Sequence, residues 1–171
     1  MLTKEEVREL YKNTKFGNEE FVVAPVFDIN GVCGSYKIID NRELVVKSDL
    51  QVSIPEIISK TEMVYKNNGE IFVPELIFVP CRALDSYGNR VGSGYGYFDR
   101  YLQNKNVIKV GVVREIFLYD KIENQPHDIK MDYILSEKRF IKIQAFSLFV
   151  FSLFYQLFYL GLPFPPNLHI R

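Results

Sequence analysis

Apolar and polar positions along the chain mark out a short series of elements. In TKEEVRELYKN (residues 3–13) Val7, Leu10 and Tyr11 share one helical face, and Thr3 followed by Glu6 is a capping-box signature. A helix is predicted there, with Gly17 as its stop. FVVAPVF (21–27) is a continuous apolar run, too short for most helices, and predicts a strand buried on both faces. Asp28-Ile29-Asn30-Gly31 reads as a turn, followed by a strand around VCGSYKI. Residues 40–69 are more polar and predict little. ELIFVP (75–80) is a second buried strand ended by Pro80, and VIKVGVV (107–113) is a third. Between them DSYGNRVGSGYGYFDRYL is glycine-rich and opens into a helix near Tyr97, and PHDIKMDYIL (126–135) is a loop entering a short strand. Buried strands separated by loops and at least two helices predict an α/β sheet domain.

The pattern changes near the C-terminus. Residues 143–170 hold no Asp, Glu, Lys or Arg, and Arg171 is the only such residue after Lys142. The chain divides accordingly into a body, 1–142, and an apolar tail, 143–171. As a helix the 20 residues 143–162 would span about 30 Å, the thickness of a bilayer core. Lys138, Arg139 and Lys142 precede them and would keep the body on the cytoplasmic side, which suits a transmembrane tail anchor. Gln144, Ser147, Ser152 and Gln156 weaken the hydropathy. A helix packed on the body and a translated segment from an altered gene end are the alternatives, since periodicity does not separate a span from a buried helix. Pro163, Pro165 and Pro166 end any helix.

Composition narrows the class without naming a chemistry. With 171 residues, 47% apolar and 25% charged, the chain has the make-up of one compact globular domain. This excludes a disordered chain, a collagen-like repeat and a disulfide-stapled miniprotein. Lys plus Arg and Asp plus Glu each number 21, so no charge excess invites nucleic acid, and no nucleic-acid motif is present. Cys33 and Cys81 lie far apart without metal spacing and read as reduced intracellular thiols. The charged N-terminus does not suit a signal peptide. A cytoplasmic monomer is expected, tail-anchored if 143–162 spans a membrane.

The chemistry-bearing stretch is Gly92-Ser93-Gly94-Tyr95-Gly96-Tyr97-Phe98-Asp99-Arg100. Three alternating glycines let backbone N–H groups approach an anion, and a following helix N-terminus adds partial positive charge. It is neither a Walker A loop, lacking the Lys-Ser/Thr, nor a dinucleotide fingerprint, whose third glycine comes one residue later. A phosphate loop and a plain strand-to-helix turn are about equally consistent with the spacing. Asp99 is placed to hold Mg²⁺ against phosphates or to sit as a solvated helix-start carboxylate. Asp132 offers a second carboxylate, and Arg90 a guanidinium for a phosphate oxygen or an exposed turn.

VPCRALDSYGNRVGSGYGYFDRYL resembles the signature of the 5-formyltetrahydrofolate cyclo-ligase (5,10-methenyltetrahydrofolate synthetase) family: a strand ending in Val-Pro, an Asp, then Arg-x-Gly-x-Gly-x-Gly-Tyr-Tyr/Phe-Asp. PHDIKMDYILSE resembles the family's later block. The resemblance covers roughly residues 5–142 and is strongest over 75–138. It implies a Rossmann-like three-layer α/β domain, with the apolar C-terminal helix outside it. It also implies ATP- and Mg²⁺-dependent closure of 5-formyltetrahydrofolate to 5,10-methenyltetrahydrofolate, with ADP and phosphate released. By resemblance Arg90, Val91, Gly92, Ser93, Gly94, Tyr95 and Gly96 form the nucleotide loop, with Arg90 catalytic. Tyr97, also taken as catalytic, and Phe98 stand beside the folate, and Asp99 and Asp132 are the magnesium carboxylates.

The chain departs from that pattern in three places. Tyr95 stands where the family has lysine or glycine, and Cys81-Arg82 occupies a bend that is normally small and apolar. The family's opening basic helix, with Lys-x-x-x-Arg for ATP, and its next strand are expected to be missing here, as in an N-terminally truncated member. Lys4 and Arg8 have that spacing but stand too close to FVVAP, and the spacing is read as the common i,i+4 pattern of surface helices. The alternative to an active ligase is a non-catalytic nucleotide- or folate-binding remnant, membrane-tethered if the tail is an anchor.

Overall fold

The structure is a computed structural model that describes residues 1–14, 22–23, 27–29, 32–39, 43–47 and 53–144. Helix α1 (Lys4–Asn13) begins at the predicted capping box: Thr3 accepts from the Glu6 N–H, and the Glu6 carboxylate accepts from the Thr3 N–H. Strands β1 (Val22–Val23), β2 (Phe27–Ile29), β3 (Val32–Ile39) and β4 (Glu43–Lys47) form an antiparallel sheet centred on β3. Ile29 pairs with Val32, so strand takes Asp28 and Ile29, two of the four residues expected as turn. Asn30-Gly31 between them is a strong two-residue hairpin signal.

A meander follows in the polar stretch that predicted little: β5 (Pro55–Ile57), β6 (Met63–Asn67) and β7 (Glu70–Phe72). Its signal was weak because only β6 buries a run, Met63 to Tyr65, while β5 and β7 are largely exposed. Then come β8 (Leu76–Pro80), β9 (Ala83–Asp85), β10 (Arg90–Val91), α2 (Tyr97–Leu102) and β11 (Ile108–Val112). A 3-10 turn at Glu115–Phe117, β12 (Leu118–Tyr119), β13 (Tyr133–Leu135) and β14 (Phe140–Lys142) complete the described elements.

The central sheet runs β14-β13-β11-β8, with β8, β11 and β13 parallel and β14 antiparallel at the edge. Both faces are covered, as the apolar runs predict. Ile77, Val79 and Ile134 point into the larger core cluster with Val7 of α1 and Leu102 of α2, whereas Leu76, Phe78, Val110, Val112 and Leu135 meet Ile29 on the other face. Alternate residues of each strand therefore separate two cores, which is the α/β arrangement expected from sequence. Gly111 sits where a Cβ would lie 2.8 Å from both Leu84 and Met131, so the larger core closes directly onto the β11 backbone.

Pairing runs slightly past the predicted end of the body. The Ile143 N–H donates to the Asp132 carbonyl at 2.9 Å, so this residue prolongs the β14 side of the sheet and does not begin an apolar helix. The remainder of the predicted helix, 145–162, and the Gly17 stop lie outside the described residues. Among the described residues no helix is long and apolar enough to cross a membrane.

Candidate functional site

The glycine loop is delivered by a hairpin at the carboxyl end of β8. The Cys81 N–H donates to Val112 O at 2.8 Å, and the Arg82 N–H donates to Val91 O at 2.8 Å, closing the base of β9–β10. The far end of that hairpin is held by Asp85, a fully buried carboxylate. It accepts from the N–H groups of Tyr87, Asn89 and Ile122 and from Asn89 Nδ2, at 2.8–2.9 Å. Four donors around one carboxylate satisfy a buried charge without a cation. The hairpin thereby carries Arg90 and Val91, both buried, into a fixed position at the start of the loop.

In the loop, Gly94 (φ +100°) and Gly96 (φ +67°) occupy left-handed backbone that glycine adopts without a Cβ clash. Gly92 leaves room for a side chain: a Cβ there would stand 2.8 Å from Arg90 Nη1. Arg100 ties the loop down, donating from Nε to Thr61 O at 2.9 Å and from Nη2 to Tyr95 O at 2.7 Å. Helix α2 has six residues, which leaves little macrodipole at its start. Positive charge at this site must come chiefly from side chains.

The loop forms one wall of a cavity of about 1290 Å³. Val91, Gly92, Ser93, Gly94, Tyr95, Gly96, Tyr97, Phe98, Asp99 and Arg90 all line it, so the residues singled out between 90 and 99 are brought together. Tyr97 and Phe98 are half-buried and also rest on the larger core, so packing and a wall position coincide. Tyr95 is exposed, its ring 6.0 Å from that of Tyr97. Arg90 Nη2 lies 2.7 Å from Asp99 Oδ1, an ion pair by distance. Its alignment does not make a hydrogen bond, and Nε and Nη2 of this buried guanidinium have no acceptor.

Asp132 lies elsewhere. Its Oδ2 accepts from the Lys109 N–H at 2.8 Å and pairs with Lys109 Nζ at 2.9 Å. Lys109 is level with Ile77 in the sheet, four residues and roughly 13 Å of strand from Cys81. Asp132 therefore sits at the amino end of the parallel strands and is not on the cavity wall. The carboxylate of that block which does reach the cavity is Asp128, accepting from Lys4 Nζ at 2.5 Å and from the Gln125 N–H at 2.6 Å. Burial alone would raise the Asp128 pKa, but the Lys4 and Gln125 hydrogen bonds and the Lys4 charge outweigh it and hold the carboxyl below its ordinary value.

The opposite wall is α1, whose place beside the glycine loop the sequence does not show. Lys4 and Arg8, whose spacing was set aside as a surface pattern, line the same cavity as the glycine loop. The helix is anchored by buried Val7, by the Tyr11 ring tilted against that of Phe117 with centroids 5.0 Å apart, and by the Glu123 N–H donating to Leu2 O at 2.9 Å. Arg8 Nη1 pairs with Glu5 at 2.7 Å while its Nε is buried without an acceptor. Lys-x-x-x-Arg was the available signal, yet only the docking of α1 onto β10 shows which way the two cations face. Pro55, Ile57 and Met63 of the meander add an apolar stretch to the wall.

Cys81 is buried on the wall. Burial pushes its thiol pKa up to about 11, a shift that the Arg90 charge only partly opposes. Among the described residues no three His, Cys, Asp or Glu side chains cluster as a metal site.

The 5-formyltetrahydrofolate cyclo-ligase family matches residues 8–137. A 5-formyltetrahydrofolate cyclo-ligase from Mycolicibacterium smegmatis is 39% identical over 66 residues, which are 37% of this chain and 34% of that protein. One from Mycoplasma genitalium is 37% identical over 60 residues, 34% of this chain and 36% of that protein. A solved 5,10-methenyltetrahydrofolate synthetase from Mycoplasma pneumoniae aligns with a TM-score of 0.43 at 27% identity, covering 48% of this chain and 53% of that one. The chain thus aligns over about a third of the length of the curated relatives it matches.

Proposed function

The chain belongs to the 5-formyltetrahydrofolate cyclo-ligase family, and from that premise we propose that its cavity binds Mg-ATP and 5-formyltetrahydrofolate and closes the folate ring. The observation that carries this reading is the convergence of the glycine loop, Arg90, Asp99 and the α1 cations on one cavity of about 1290 Å³. Single-ligand pockets commonly measure about 300–1,000 Å³, so this one has room for two substrates side by side. Its lining offers both kinds of surface: glycine backbone, Lys4, Arg8 and Arg90, suited to a polyphosphate, and Pro55, Ile57, Met63, Tyr97 and Phe98, suited to a flat heterocycle.

In the proposed reaction the formyl oxygen takes the γ-phosphoryl group and ADP leaves. N10 then attacks the activated formyl carbon and gives up its proton to solvent, the C–O bond breaks, and phosphate departs. Because the bonds are exchanged between substrates, the chain's share is positioning and charge stabilisation. Arg90, with two nitrogens lacking acceptors, is the donor aimed at transferring phosphate oxygens. Asp99 and Asp128 are the aspartates on the wall, and two carboxylates suffice for Mg²⁺ that arrives on nucleotide phosphates, since that ion keeps waters and phosphate oxygens as its other ligands. When bound there it would neutralise phosphate charge. Asp132, committed to Lys109 away from the cavity, has no part in this arrangement.

The test is folate-dependent release of phosphate from Mg-ATP by the full chain, followed together with formation of methenyltetrahydrofolate. Coupled release that is lost in Asp99→Asn is the expected result. Mg-ATP and folate binding without turnover would replace it with the non-catalytic reading, for which the lack of a cation at Tyr95 is the relevant feature. Binding of neither substrate would overturn both.

A further inference from the structure

The charges around the cavity form a nearly complete set of pairs. Lys4 is matched by Asp128 at 2.5 Å, Arg8 by Glu5 at 2.7 Å, Arg90 by Asp99 at 2.7 Å and Lys12 by Glu9 at 2.6 Å. Among the described residues Arg82 is the lining cation with no carboxylate within 4 Å, and no ion pair joins it to Glu123, the unmatched acid on the wall. A half-buried arginine on the wall of a partly apolar cavity is not solvated as freely as a surface arginine, so a missing counter-charge is informative.

Three further observations give that charge a direction. The glycine loop has no Lys or Arg between Gly92 and Asp99, so it offers backbone donors but no cation. Arg82 stands directly at the base of that loop, its N–H bonded to Val91 O at 2.8 Å, one residue before Gly92. Its guanidinium carbon lies 5.2 Å from the centroid of the Tyr11 ring, so the planar group is held against an aromatic face. Tyr11 belongs to α1, and Arg82 therefore bridges the two walls of the cavity.

We propose that Arg82 is an oxyanion anchor of this cavity: its guanidinium, steadied on Tyr11, takes a phosphate or carboxylate oxygen of the bound ligand and supplies the positive charge that the glycine loop lacks. The assignment rests on the reading of the cavity as a Mg-ATP and folate site, and it adds a ligand contact to that reading. The shared chemistry is an anionic oxygen, whether on the nucleotide phosphates or on the glutamate carboxylates of the folate. Because Lys4, Arg8 and Arg90 already have acid partners, Arg82 can bind such a group without breaking an ion pair.

The experiment is calorimetric titration of the full chain, native, Arg82→Gln and Arg82→Lys, with Mg-ATP and separately with 5-formyltetrahydrofolate, at low and high salt. Thermal melts establish that each variant is folded. Glutamine keeps much of the stem over Tyr11 and removes the charge, whereas lysine keeps the charge. Arg82→Gln is expected to weaken binding of at least one ligand about 10- to 30-fold and to flatten its salt dependence, with Arg82→Lys recovering most of the loss. A loss confined to Mg-ATP identifies a phosphate, and one confined to the folate identifies a carboxylate. Folded Arg82→Gln that binds both ligands as the native chain does, with the same salt slope, overturns the assignment alone. A native chain that binds neither ligand overturns the reading of the cavity as well.

Discussion

The two ends of the parallel sheet carry similar residue types arranged to opposite effect. At the amino end, Asp132 and Lys109 satisfy each other, and the Asp132 oxygen also receives the Lys109 N–H. At the carboxyl end of β8, cations from α1, the β8–β9 bend and the start of the glycine loop face one cavity, and Arg8 and Arg90 retain buried nitrogens without acceptors. An ion pair closed on itself stabilises the fold, whereas orphaned donors around a cavity leave binding capacity for an anion. Ligands of open α/β sheets commonly sit beyond the carboxyl ends of the strands. The difference therefore lies in placement, and a list of Asp and Arg residues does not contain it.

Substitutions at the two ends should separate these roles. Arg90→Gln is expected to have the largest effect, about a 100-fold loss of Mg-ATP affinity in a calorimetric titration, with Arg90→Lys losing less. An unchanged affinity would remove the carboxyl end from consideration as a phosphate site. Asp99→Asn should lower Mg-ATP affinity about tenfold at saturating Mg²⁺, with much less change in affinity for metal-free ATP. Asp132→Asn should leave Mg-ATP affinity within about twofold and instead lower Tm by about 2–4 °C, the shift expected for about 1 kcal/mol in a chain of this size. If Asp132→Asn weakens Mg-ATP as much as Asp99→Asn does, the contrast between the two ends is broken.

Smaller effects sharpen the picture. The Asp128 carboxyl is held below its ordinary value, so its contribution to stability is complete above about 3.8 and disappears as pH falls through the depressed folded value. Melting temperatures of the native chain should therefore converge on those of Asp128→Asn as acid is added; parallel curves across that range would contradict the Lys4–Asp128 clasp. At neutral pH the Cys81 thiol, pushed up to about 11, should resist alkylation in the folded protein and react on denaturation. Rapid labelling of Cys81 in the native state, read by peptide mass, would show that the cavity wall opens there.

Much of the scaffold was legible because its signals are local. The capping box at Thr3 and Glu6, the buried runs at 75–80 and 107–113 and the entry to α2 near Tyr97 each occupy the position expected. The meander at 55–72 was not legible, because two of its three strands are mostly exposed and show no period-2 pattern to read. Residues 90–99 line one cavity because consecutive residues on one short loop stay together in space. That Lys4, Arg8 and Asp128 share that cavity was not legible, for the converse reason: Lys4 and Asp128 are 124 residues apart, and their contact is made by the packing of α1.

Asp128 and Asp132 make the division plain. They lie four residues apart in one loop-to-strand segment, are chemically identical, and read alike in the chain. The sequence was enough to set the α/β class, the cap, the buried strands at 75–80 and 107–113 and the glycine loop, because each depends on neighbours within a few residues. Whether a carboxylate meets Lys4 at the cavity or Lys109 at the far end of the sheet depends on the register of β11 with β13 and on where α1 docks. Those are long-range packing choices, stabilised by side chains distant in the chain, and the electrostatic role of every charged residue follows from them.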